Sequence, residues 1–419
     1  MTALSFISKK KLLGLTLMLM LSLWGCRSAE PPIRVGILHS LSGTMADSER
    51  PVAMATQMAI AEINANGGVL GRQIEPLLFD GQSNDQQFYR LAEHLLVEER
   101  VNTVFGCWTS ACRKTVAPLF EQHGALLVYP VQFEGLENSP NILYTGASAS
   151  QQIMPAMAWG MANLGKRVML VGSDYIYPRV ANTLAKYQVQ MLQGEVVDEV
   201  YFNLGDNALS GLAERITTQA PDFILSTLNG SSNREFFYLL KSLANSVPVV
   251  ATSISEEELN QRVVQVPVYV GNSYFEKLEG DRNRDFVRRF HAYAGDSIAV
   301  SAAVEAAYSG VYLWAHTITQ SQTHNIRDVI SNFSSQSIQG PVDKLVIAID
   351  SHYVWRRFYL AKYVPSEGGL RVIYTEEKVL PPNPYPMFRS KHNWKLFLQD
   401  MYNRWGEQWR APEVIQETP

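Results

Sequence analysis

Residues 33–79 read IRVGILHSLSGTMADSERPVAMATQMAIAEINANGGVLGRQIEPLLF, and this stretch decides the fold. Ile33 to Leu38 is a short apolar run rich in β-branched residues, the pattern of a buried strand. A small polar loop, His39 to Met45, leads into an amphipathic segment from about Glu49 to Asn66, which stops at Asn66-Gly67-Gly68, a left-handed helix-ending signal. Ile74 to Phe79 is strand-like again. Strand, helix and strand in this order make a βαβ unit, and such units require a parallel sheet.

The pattern continues outward. Thr103–Gly106 and Leu126–Tyr129 extend the first set of strands. Val168–Gly172, Val196–Phe202, Phe223–Thr227 and Val247–Ala251 form a second set, with helices near Ile176–Leu192, Leu209–Gln219 and Asn233–Leu243. From Ser255 the chain is helical again, with a strand at Val266–Val270 and a long helix near Val300–Thr319. It ends in strand-rich segments at Leu345–Ile349, Tyr353–Tyr363 and Leu370–Tyr374 and a Pro-rich stretch, Pro381 to Pro386. The expected fold class is α/β, with two Rossmann-like lobes carrying parallel sheets.

Composition agrees with two lobes. A chain of 419 residues is long enough for two domains. At 46% hydrophobic and 18% charged it excludes disordered, collagen-like and coiled-coil classes. A net charge of −4 argues against a nucleic-acid partner, which calls for a strong excess of Lys and Arg. At the N-terminus, Lys9, Lys10 and Lys11 precede the apolar run Leu12 to Leu23 and then Trp24-Gly25-Cys26, the layout of a secretory signal over residues 1–25. Losing 25 residues, with three lysines and no acid, takes the chain to 394 residues at −7. The small residue before Cys26 resembles a bacterial lipobox, although Trp24 is bulky for one. That resemblance implies lipidation of Cys26 and a membrane anchor in the cell envelope; ordinary secretion with an inert Cys26 is the alternative. Of the remaining cysteines, Cys107 and Cys112 are five apart at a strand-to-helix turn, and two buried thiols are expected there in place of a disulfide.

In an open parallel sheet, ligands bind outside the carboxyl ends of the strands. Those ends carry His39-Ser40-Leu41-Ser42-Gly43, Cys107-Trp108-Thr109-Ser110, Tyr129-Pro130-Val131-Gln132-Phe133-Glu134-Gly135, Gly172-Ser173-Asp174-Tyr175-Ile176-Tyr177-Pro178-Arg179 and Ser226-Thr227-Leu228-Asn229. Aromatics and neutral donors or acceptors crowd this rim, the mixture expected of a binding wall. Neither a P-loop nor a GxGxxG motif follows a strand, and no HExxH is present, so a nucleotide cofactor or catalytic metal is not expected.

With Pro384-Tyr385-Pro386, these motifs resemble the urea and short-chain amide substrate-binding proteins of ABC transporters, which have the type I periplasmic-binding-protein fold and are related to the amide sensor and branched-chain amino acid receptors. The resemblance implies two lobes joined by a hinge, lobe 1 from 33–146 plus 253–340 and lobe 2 from 147–252 plus 341–388, with 389–419 as a C-terminal tail. It implies capture of urea or a short aliphatic amide between the lobes and delivery to ABC permease subunits, without catalysis. The positions matching ligand contacts are Trp108, Ser110, Tyr129 and Gln132 on one wall and Tyr175, Tyr177 and Thr227 on the other, with Glu256 at a crossing between lobes. The alternatives are an amide-sensing receptor ectodomain, a branched-chain amino acid receptor with Arg179 and Glu256 as charged partners, and an amidase built from Cys107 with Lys114, Glu134 or His123.

Overall fold

The structure is a computed structural model that describes residues 30–243, 245–254, 256–260, 264–367 and 369–412; the expected signal segment and Cys26 lie outside the described residues. Strands β1 (Ile33–His39), β2 (Ile74–Asp80), β3 (Thr103–Gly106), β4 (Leu126–Tyr129) and β5 (Ile142–Tyr144) form one sheet in the order β2-β1-β3-β4-β5. Every pairing in it is parallel. Helices α1 (Ala46–Ala65), α2 (Asp85–Val97) and α3 (Ser110–His123) connect these strands. Both faces of the central strands are covered, which is why β3 and β4 are apolar and buried at consecutive positions instead of alternating.

The second lobe begins with α4 (Ile153–Asn163) and continues through β6 (Arg167–Ser173), α5 (Ile176–Met191), β7 (Glu195–Phe202), α6 (Leu212–Gln219), β8 (Phe223–Thr227), α7 (Ser232–Ser242), β9 (Val249–Ala251), α8 (Glu256–Asn260) and β10 (Val268–Asn272). The chain then returns to lobe 1 with α9 (Asp281–Ala294), α10 (Ala302–Ser321), α11 (Ile326–Ser331) and the hairpin β11 (Ser337–Gln339) and β12 (Lys344–Val346). It crosses again into β13 (Tyr359–Val364), β14 (Gly369–Thr375) and the C-terminal α12 (Lys391–Arg404). The second sheet has the order β14-β13-β10-β9-β8-β6-β7, and its last two added strands, β13 and β14, are antiparallel.

Three boundaries differ from the sequence expectation. β10 pairs with β9 and β13, so the return to lobe 1 comes after Asn272 and not at 253. Leu345, Ile347, Tyr353 and Val354 pack in the lobe 1 core, while Phe358 and Leu360 pack in lobe 2, so the final crossing lies near 355 and not at 341. Residues 391–404 are a helix docked on lobe 2 through Trp394, Leu398 and Met401 and not a free tail.

Buried polar groups hold the crossings together. The Arg356 guanidinium donates to the Thr145 carbonyl at 2.8 Å and to Glu305 at 2.5 Å, with Arg356 and Glu305 both 3% exposed. Gln151 donates to the carbonyls of Val354 and Leu380, and Gln152 to those of Thr252 and Gly271. A buried side chain that bonds the backbone of another crossing ties the crossings into one element.

Candidate ligand-binding site

At the end of β3 the chain turns through Cys107, whose φ of 63° is left-handed and rare for a residue with a Cβ. Thr109 then caps α3, its hydroxyl accepting the Cys112 N–H at 3.0 Å. This sharp turn brings the two cysteine Cα atoms to 5.8 Å, and Cys107 and Cys112 form a disulfide. The expectation of two buried thiols is therefore corrected, and the amidase arrangement loses its nucleophile.

The bridge spans the segment that carries Trp108 and Ser110. The Trp108 carbonyl accepts from the Tyr129 hydroxyl at 2.6 Å, while its indole N–H is buried without a partner. Burial is the main reason that the Tyr129 hydroxyl is pushed well above its ordinary pKa. Ser110 donates to Glu134 at 2.5 Å and accepts from Arg113 at 2.9 Å. Arg113 also reaches Glu134 at 3.1 Å and Glu137 at 2.7 Å, and Lys114 pairs with Glu137. The Arg113 guanidinium lies 4.6 Å from the centre of the Tyr129 ring. Burial works to raise the Glu137 carboxyl, but the charges and hydrogen bonds of Arg113 and Lys114 outweigh it and hold the group near 2. Two cations and two carboxylates thus cancel inside the first wall. Arg113 and Glu137 were not among the expected site residues; a sequence signal existed, since Arg113 follows Ser110 by one helical turn.

Tyr175 and Tyr177, at the start of α5, form the second wall, their rings 6.3 Å apart. Burial, then the proximity of Tyr177, Tyr129 and Glu134, pushes the Tyr175 hydroxyl far up, so this residue faces lobe 1 across the cleft. Burial likewise pushes Tyr177 up to about 12, and its hydroxyl lies 3.4 Å from that of Ser253. Ala111 and Leu136 of lobe 1 join both tyrosines in one apolar cluster, so the lobes are closed on each other. The Leu136 N–H donates to the Pro384 carbonyl at 2.8 Å, which explains the Pro384-Tyr385-Pro386 motif as a clasp between the β4 loop and the returning chain. The loop after β1 also touches lobe 2: a Cβ added at Gly205 would lie 2.5 Å from Thr44 Cγ2, and one at Gly230 would lie 2.9 Å from Met45 Sδ.

Beside the first wall, Trp108, Gln132, Ser253, Ile254, Asn272 and the first turn of α10 line a partly open cavity of about 20 Å³, which Tyr175 and Tyr177 do not line. Wider recesses, of about 480 and 640 Å³, lie along α9–α10 and along β13–β14, away from the strand ends that define a ligand cleft, so size alone does not locate the site. Trp108 and Gln132 thus line the cavity, with Tyr129 and Ser110 directly behind Trp108. Thr227 does not reach it: its hydroxyl bonds Asn182 at 3.1 Å and the Val171 carbonyl at 3.3 Å, beneath α5. Glu256 does not either. Its carboxyl accepts from the Glu276 N–H at 3.3 Å beside the second crossing, and burial, reinforced by the Glu276 charge, raises it to about 8. Arg179 is held by Asp174 at 2.8 and 2.9 Å and lies over the Tyr201 ring. Ser253 stands at a strand end, in the string Ser253-Ile254 that follows β9, whereas Asn272 and the α10 start are site residues that sequence reading missed, because β10 and α10 are brought to the strand ends only by the second crossing. Among the described residues no cluster of His, Cys, Asp or Glu is suited to a metal, and no helix is long and apolar enough to cross a membrane.

Comparison with known proteins agrees with this architecture. Residues 33–391 match the family model for the periplasmic binding protein domain. A Leu/Ile/Val-binding protein of Rhizobium johnstonii is 26% identical over 219 residues, which is 50% of this chain and 58% of that protein. One from Citrobacter freundii is 24% identical, covering 46% of this chain and 53% of its own length. The chain therefore spans a little over half the length of the curated relatives it matches. A solute-binding protein of an ABC transporter from R. palustris, solved with 4-hydroxybenzoate, superposes with a TM-score of 0.77 at 22% identity, covering 83% of this chain and 98% of that one. The branched-chain amino acid binding protein of Streptococcus pneumoniae, solved with isoleucine, gives 0.73 at 19% identity, over 84% and 100% of the two chains. Two α/β lobes closed over strand ends and a family match over most of the length make one conclusion: the chain belongs to the periplasmic binding protein domain family.

Proposed function

We propose that this chain is the extracytoplasmic solute-binding component of an ABC transporter and that it closes its lobes on urea or a short aliphatic amide. The observation that carries the reading is the size and neutrality of the interlobe cavity. About 20 Å³ is room for roughly one water. Urea or formamide needs less added room than leucine or a benzoate. The lining supplies an indole, two carboxamides, hydroxyls and backbone, with no charged side chain. Arg113 and Lys114 together neutralise Glu134 and Glu137, and Arg179 is taken by Asp174, so neither end of an amino acid finds a free counter-ion there. A neutral planar amide has the complementary requirement, because each polar atom buried without a partner costs about 1–3 kcal/mol.

The names of the relatives favour a second reading, a branched-chain amino acid receptor. Calorimetry on the exported chain with urea, formamide, acetamide, leucine and 4-hydroxybenzoate separates the two. Urea or a short amide is expected to bind most tightly. Saturable leucine binding with no response to urea would overturn the amide reading.

A further inference from the structure

We propose that the oxygen atom of the ligand is received at the first turn of α10, by the backbone N–H groups of Ala302 and Ala303, with the indole N–H of Trp108 as the third donor. This assignment rests on the reading that the cleft takes a small carbonyl compound, and it fixes which end of that compound faces which wall.

Three observations converge on it. The 20-residue α10 begins at Ser301, whose hydroxyl accepts the Val304 N–H at 3.3 Å. That cap satisfies one first-turn donor and leaves those of Ala302 and Ala303, which have no acceptor within the helix. Ser301, Ala302 and Ala303 all line the interlobe cavity, where the helix N-terminus presents partial positive charge. Independently, Trp108 lines the same cavity, is 7% exposed, and buries its indole N–H with no partner. A buried orphan donor is rare in native proteins, and this one belongs to a residue that lines the same cavity as the two backbone donors. Acceptors lie elsewhere on the lining, on Gln132 and Ser253. Oxygen toward α10 and amide hydrogens toward Gln132 and Ser253 is the orientation that pairs every polar atom of urea. A carboxylate oxygen shares this chemistry, so the experiment carries an arm for each source.

The test is a ¹H–¹⁵N NMR titration of the exported chain with urea, and separately with leucine and 4-hydroxybenzoate. The Trp108 indole signal is assigned by its loss in Trp108→Phe, which keeps a smaller aromatic ring and removes the donor. The indole resonance of Trp108 and the amide resonances of Ala302 and Ala303 are expected to move downfield together and saturate with urea. Trp108→Phe is expected to weaken urea about tenfold and to shrink the preference for urea over thiourea, whose sulfur is the poorer acceptor. Should that variant fail to fold, the indole signal is assigned from triple-resonance spectra of the wild-type chain, and the wild-type titration decides. Saturable binding of any of these ligands without movement of the three resonances overturns the oxygen subsite. Movement with leucine or 4-hydroxybenzoate but not with urea retains the subsite and overturns the amide reading instead.

Discussion

The closed lobes are fastened at the cleft mouth by a segment that carries no ligand contact, and its contribution can be worked from the structure. After α12 the chain runs back over lobe 2, where the Ile176 N–H donates to the Trp409 carbonyl at 3.0 Å and the Ala411 N–H to the Asp174 carbonyl at 3.1 Å. From this strap Arg410 reaches across to Asp85, at the start of α2 in lobe 1, with two bonds of 2.5 and 2.9 Å. Lys114 of lobe 1 sits 5.2 Å from the centre of the Trp409 ring. The two charged side chains are 27% and 20% exposed, so solvent screens the pair, while its bidentate geometry places it at the upper end for surface bridges. About 1 kcal/mol follows, or roughly a fivefold change in the ratio of closed to open lobes. Arg410→Ala should therefore shift that ratio about fivefold toward open while leaving the strap on lobe 2, since its backbone bonds remain. Pulsed EPR distances between spin labels at the exposed Val97 and Met191, one on each lobe, read the populations directly. Wild type at 1 M salt should approach the variant, because the Debye length there is about 3 Å. Exchanging the charges, Asp85→Arg with Arg410→Asp, should recover part of the closed population. An unchanged closed fraction in Arg410→Ala at low salt would refute the reasoning.

Three further perturbations test the same closure from other sides. Gly230→Ala adds a Cβ 2.9 Å from Met45 Sδ and 3.2 Å from the Thr44 carbonyl at a φ of 63°, so ligand affinity should fall about tenfold. The left-handed strain acts in open and closed lobes alike and should also lower the melting temperature, by what about 1 kcal/mol gives, and calorimetry beside thermal unfolding separates the two effects. Cys107→Ser with Cys112→Ser removes a short closed loop and should cost about 2 kcal/mol in guanidinium unfolding, with weaker ligand binding because Trp108 and Ser110 lie inside that loop. Glu256 holds its proton up to about pH 8, whereas a free glutamate loses it near 4.5, so the folded chain binds more protons between these values and stability falls as pH rises from about 5 to 8. Glu256→Gln should flatten that slope in thermal melts; an identical slope would mean that the carboxylate ionises with a partner.

The fold was legible because its strands are covered on both faces and stand as short apolar runs, and because Asn66-Gly67-Gly68 ends α1 in a way the residues announce. Trp394, Leu398 and Met401 repeat at helical spacing, a sign of α12 that the reading of 389–419 as a tail passed over because it follows a Pro-rich stretch. The site was legible in part for a reason that separates two kinds of residue. Trp108 and Gln132 line the cavity because they follow strands directly, and position after a strand is a property of the chain. Thr227 failed because its hydroxyl turned toward Asn182, and Glu256 failed because a crossing that begins only after β10 drew its carboxyl to Glu276. The cancellation of Arg113 and Lys114 by Glu134 and Glu137 was equally out of reach. Charges can be counted in a sequence, but which of them face each other depends on α3 lying against the loop after β4. That pairing decides more about the ligand than any motif does. If one of these carboxylates were free, the cleft would favour a cation, and if Arg113 were free, an anion; with all four engaged, the groups left to a ligand are neutral donors and acceptors.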